Sequence, residues 1–95
     1  MKIKKNENQR RIKIGLFGFG KTGRMVADEF FKDGIFDLEW VVRRTNKDNH
    51  KYATRLLGYE VDDAPIYSVG EMSPIFFQNN PVDIIVDFSS AKAHK

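Results

Sequence analysis

The chain contains no cysteine in its 95 residues. A disulfide framework, a thiolate metal site and a cysteine nucleophile are therefore excluded. No apolar run approaches the roughly 20 residues that a bilayer-spanning helix needs. Met1 to Arg11 is basic, but no apolar stretch long enough for a signal peptide follows it. By default these absences predict a cytoplasmic location and no membrane partner. The chain is also too short to hold a cofactor domain and a substrate domain together.

The formal charge of +3 is unevenly spread. Lys2, Lys4, Lys5, Arg10, Arg11 and Lys13 face only Glu7 near the start, and the rest of the chain holds more acids than bases. The basic balance thus belongs to an arm over residues 1–11, read as a disordered, solvated lead-in. It lacks aromatic residues and any fold motif for nucleic acid, so no nucleic-acid partner is expected.

From Arg11 the pattern becomes regular. Arg11-Ile12-Lys13-Ile14-Gly15-Leu16-Phe17 alternates and then turns apolar, as a first strand does. A helix is predicted from about Thr22 to Asp33, with Val26, Ala27, Phe30 and Phe31 on its buried face and Gly34 as its C-terminal cap. Phe36 to Val42 reads as the second strand. A polar stretch, Arg43 to Lys51, leads to a weak helix ending at Arg55-Leu56-Leu57 before Gly58. Ile66-Tyr67 is a short strand. Between Ser68 and Gln78 a helix has two rival starts: a capping box, Ser68 with Glu71, or Ser73-Pro74. Val82 to Asp87 reads as a buried strand. Strands alternating with helices imply an α/β parallel sheet with flanking helices and right-handed crossovers. The sheet looks truncated after its fourth strand, so residues 12–95 read as part of a larger domain.

The turn after the first strand, Gly18-Phe19-Gly20-Lys21-Thr22-Gly23, fits G-x-G-x-x-G at a strand-to-helix junction. In a Rossmann-type dinucleotide fold Gly18 makes the tight turn, Gly20 admits the pyrophosphate and Gly23 lets helix and strand pack closely. The helix N-terminus adds N–H groups and a positive dipole for the phosphates. Gly15 to Thr22 also fits G-x-x-x-x-G-K-[ST], the phosphate loop of nucleotide triphosphatases. In that pattern Gly15 must leave the strand, Leu16 and Phe17 would be exposed, and Gly23 has no role. The dinucleotide pattern accounts for these four positions better.

NAD-binding folds place an acid at the end of the second strand for the ribose 2′-hydroxyl. Here that place reads Arg43-Arg44-Thr45-Asn46-Lys47, with no carboxylate until Asp48. A guanidinium suits a 2′-phosphate, so NADP(H) is expected over NAD(H). Arg43 or Arg44 is the candidate reader, Thr45 and Lys47 are further partners, and Arg24 is a second cation near the phosphates. Asp87, at a strand's exit, is read as lying near the cofactor or capping a following helix. His50 and His94 read as surface residues, and no metal site is expected.

Lys13 to Gly18, Gly23-Arg24-Met25 and Val82 to Ser89 resemble the N-terminal domain of dihydrodipicolinate reductases, or of a close relative. The family has a shorter glycine loop, another glycine where Val26 stands, and Pro-Glu where this chain has Ala91-Lys92. The resemblance implies an NAD(P)H-dependent oxidoreductase of lysine and diaminopimelate synthesis. It puts Gly18, Gly23 and Arg24 beside the pyrophosphate, Arg44 on the 2′-phosphate, and Phe88 and Ser89 near the nicotinamide. The family's catalytic residues lie in a second domain with no counterpart here, so no catalytic residue is expected and a small-molecule substrate needs that further domain. A non-catalytic nucleotide sensor is the alternative, ahead of a triphosphatase fragment, and either leaves room for a homo-oligomer.

Overall fold

Parallel strands cannot be joined by tight hairpins, so every step across such a sheet needs a crossover. The computed structural model, which describes residues 11–88, is built in that way. Its elements are β1 (Ile12–Phe17), α1 (Lys21–Lys32), β2 (Phe36–Arg43), α2 (Ala53–Leu56), β3 (Ile66–Ser68), a 3-10 turn (Val69–Glu71), α3 (Pro74–Asn79) and β4 (Ile84–Asp87). The strands are all parallel, in the order β3-β2-β1-β4. This is a Rossmann-like α/β sheet with flanking helices, the fold class that the alternation of elements implies.

The two faces bury different chemistry. On one, Ile14 and Leu16 of β1, Leu38 and Val41 of β2 and Ile66 of β3 pack with Ala27 of α1 and Ala53 of α2. On the other, the Trp40 ring meets Phe17 of β1 and both Phe76 and Phe77 of α3 in edge-to-face contacts. Its indole Nε1 donates to the Asn80 carbonyl over 3.0 Å.

A slip in register aims that ring. Ile14 is opposite Leu38, but Gly15 is opposite Trp40, so Glu39 is an extra residue in β2. The alternation inverts there, as at a bulge, and Trp40 turns away from the face that buries Leu38. The indole then occupies the space beside Gly15, where a Cβ would overlap its six-membered ring. Burial pushes the Glu39 carboxyl above its ordinary range, and neighbouring Asp37 pushes it the same way.

Several expectations need correction. Gly34 does not cap α1: Asp33 does, its N–H donating to Glu29 and its side chain accepting from Ile35 N over 3.0 Å. An aspartate can close such a turn through its own carboxylate, so no left-handed glycine is required. The single helix with two rival starts is two pieces. Ser68 and Glu71 form the capping box of the 3-10 turn, and Ser73 caps α3 by accepting from Phe76 N. β4 is not a buried central strand. It pairs with β1 alone among the described strands, and Ile84 and Ile85 are 45% and 48% exposed. Residues 1–10 and 89–95, with most of the basic arm, Ser89 and His94, lie outside the described residues.

Gly15 and Gly20 should respond oppositely to alanine. Gly15→Ala places a methyl inside a packed aromatic contact and should cost about 1–3 kcal/mol. Gly20→Ala meets nothing within 4 Å and should cost less than about 1 kcal/mol, the range of a cap change. Urea unfolding of both variants measures the contrast.

Candidate functional site

In an open parallel sheet a crevice opens where the strand order reverses, beyond the carboxyl ends of the strands. Here that place is β1, with β2 on one side and β4 on the other. A cleft of about 230 Å³ lies there, lined by Gly18, Phe19, Gly20, Arg43, Arg44, Thr45 and Phe88. Three chain segments, distant in sequence, meet in it.

The glycine loop makes the floor. Gly18 has φ 102°, in the left-handed region that glycine tolerates. Its N–H donates to Val42 O over 2.8 Å, which folds the loop over the end of β2. Gly23, one turn into α1, is buried against Gly18: a Cβ there would collide with the Gly18 carbonyl. Gly20 is the N-cap of α1 and has no side chain with which to cap it. Arg24 N donates to Gly20 O over 2.9 Å. The preceding N–H groups of the turn have no intrahelical acceptor, and no acidic residue stands in that turn. The end of the helix is thus electropositive and open.

Phe19 points the other way. It is 2% exposed and belongs to the core cluster that Leu16 and Ala27 share. The Arg24 guanidinium lies 4.8 Å from its ring centroid and that of Arg43 lies 5.9 Å away. A buried aromatic ring therefore carries two cations. At the end of β2, Arg44 and Thr45 are exposed, and the Thr45 hydroxyl accepts from Lys47 N over 3.3 Å. On the far wall Phe88 N donates to Phe17 O over 2.7 Å, which extends the β1–β4 ladder to the rim.

Of the residues expected at a dinucleotide site, seven line the one cleft. Lys21 and Thr22 are exposed on the first turn of α1, with Gly23 buried beneath them. Arg24 stacks on Phe19 instead of lining the cleft. Asp87 is exposed opposite Phe17 and also stands outside the lining. Gly15 remains inside β1, paired in register with Trp40 and Ile85. It does not open a phosphate loop, which the triphosphatase pattern requires of it.

Two features near the site lie outside the glycine motif. Asp48 returns to the end of β2, where its carboxylate accepts from Arg43 Nη1 over 3.0 Å. Beyond it, Glu71 ties the polar stretch to the end of β3. Its carboxylate accepts from Ser68 N and Oγ over 2.9 and 3.1 Å and meets His50 Nε2 at 2.8 Å. The Ser68 backbone N–H, then His50, hold the Glu71 carboxyl down at about 2. The spacing Ser68-x-x-Glu71 was a legible signal of half of this cluster; nothing in the sequence joined His50 to it.

The fold and the cleft define an α/β protein with a glycine loop at its switch point. The chain matches no protein-family model and no curated protein. Among the described residues no group of His, Asp and Glu could hold a metal ion. No described helix is long and apolar enough to cross a membrane.

Because the folded value of Glu71 lies below its ordinary 4.5, its bonds stabilise the fold above pH 4.5. That contribution falls away as pH drops from there through about 2. Glu71→Gln should be less stable than the parent at neutral pH, with the difference shrinking over that acid window. Urea unfolding across a pH series tests this; a constant difference would contradict it.

Proposed function

We propose that the chain is the cofactor-binding part of an NADPH-dependent reductase, most like dihydrodipicolinate reductase. One observation carries the reading: the glycine loop, the arginine pair and Phe88 line a single cleft at the switch point of a parallel sheet. The pyrophosphate fits the open N-terminus of α1, where Gly20 leaves space for an oxygen to approach the backbone. Arg44 and Thr45, exposed at the end of β2, suit a 2′-phosphate on the adenosine ribose. Phe88 offers an apolar wall for the nicotinamide end.

The bound cofactor would supply the hydride itself. Among the described residues the lining contains no carboxylate, histidine or lysine that could move a proton, so these residues bind and orient. A small-molecule substrate and its proton donor belong to a further domain, and a cytoplasmic location is part of the same proposal. That lack of proton-transfer groups also favours a second reading, a nucleotide sensor without chemistry. Reductase activity with a substrate domain present separates the two.

Titration with NADPH, NADH and magnesium-ATP tests the ligand. NADPH should bind tightest, and Arg44→Ala should weaken it about tenfold, roughly 1.4 kcal/mol, while leaving NADH within about twofold. Equal affinities unchanged by Arg44→Ala would refute the 2′-phosphate reading. Tight magnesium-ATP binding that Lys21→Ala abolishes would refute the dinucleotide reading altogether.

A further inference from the structure

An acid of the polar stretch after β2, Asp48, stands behind the cleft and is bonded to one of its lining residues, Arg43. Asp48 is only 12% exposed at its side chain, and its backbone has φ 63°. Few residues other than glycine accept that left-handed conformation, and Asp and Asn accept it best. Flanking bonds hold it there: Asn49 N donates to Asn46 O and Lys51 N to Asp48 O, each over 3.1 Å. The His50–Glu71 contact anchors the next stretch of chain. A merely solvated loop acid needs none of this.

We propose that Asp48 is a specificity-determining residue: a fixed counter-charge, bonded to the cleft-lining Arg43 guanidinium, that limits how strongly the site prefers a 2′-phosphate to a 2′-hydroxyl. This rests on the dinucleotide reading above. Arg43 is 18% exposed, its Nη1 donates to Asp48 Oδ2 at 3.0 Å, and it stacks over Phe19. A guanidinium has donors left after one such bond, so Arg43 still faces the cleft with its charge offset. Lys51 Nζ stands 3.6 Å from the other carboxylate oxygen but is itself 63% exposed, so its offset is screened by solvent. A phosphate feels the Asp48 charge and a neutral hydroxyl does not. The carboxylate therefore acts on the difference between the two cofactors.

Two variants of the full chain shift the charge in opposite directions. Asp48→Asn keeps a residue suited to the left-handed backbone and an oxygen for Arg43, and removes the charge. It should tighten NADPH and 2′,5′-ADP about three- to tenfold, and leave NADH and 5′-AMP within about twofold. Lys51→Gln strips a neutralising cation from Asp48 and should weaken NADPH about twofold, again sparing NADH. A folding defect would lower the binding-competent fraction for all four ligands alike, so the NADPH-to-NADH ratio is unaffected by it. An unchanged or reversed ratio in Asp48→Asn overturns the proposal. Selective loss of NADH also overturns it and makes Asp48 a ribose ligand. A parent chain that binds neither dinucleotide removes the underlying reading. A parent that prefers NADPH, with the ratio unmoved in both variants, removes the role of Asp48 alone.

Discussion

The cleft depends on one close approach, that of α1 to the loop from which it grows. Gly23 lies directly against the Gly18 carbonyl, and no side chain fits between them. Were the helix displaced outward by a Cβ, Gly18 could not both turn at φ 102° and reach Val42 O. The loop would lift from the end of β2, and the distance between the glycine backbone and the arginine pair would grow. Phe19 fixes the same geometry from below. Its ring is sunk in the core, so the loop cannot rise without exposing an aromatic surface worth about 1.5–3 kcal/mol of burial.

The opposite face of the sheet holds the strands beneath the loop. The extra residue in β2 delivers Trp40 to α3, and Gly15 leaves room for its indole. One short helix thereby gains an anchor of three rings, Trp40 with Phe76 and Phe77. α3 spans only Pro74–Asn79 and would not be stable by itself. Its docking brings the chain back from β3 to the far side of β1, which is the reversal of strand order that opens the crevice.

Features that depend on local spacing were legible in the sequence. The glycines of the loop, the alternation of β1 and the four-residue spacing on α1 each report a neighbourhood of a few residues. Both serine caps were visible too, although they looked like rivals because a helix with two starts and a turn followed by a helix share one pattern. What escaped reading depends on partners far along the chain. The slip at Glu39 exists only relative to β1. The exposure of Ile84 and Ile85 follows from the position of β4 at the edge, while their apolar character alone suggested burial. At the site, the glycine loop, Arg44 and Phe88 were readable, since a motif defines their places; the engagement of Arg43 by Asp48 was not.

That engagement divides the arginine pair. Arg43 is the last residue of β2 and Arg44 begins the bend beyond it, so the two stand in different surroundings. Arg43 is half-buried, lies over Phe19 and is bonded to Asp48, which makes it part of the wall. Arg44 is exposed at the rim of the same cleft. A cation with its charge offset helps to shape the pocket, and an exposed one stands at its rim. Two arginines in sequence look redundant, but the end of the strand and one returning carboxylate give them different surroundings.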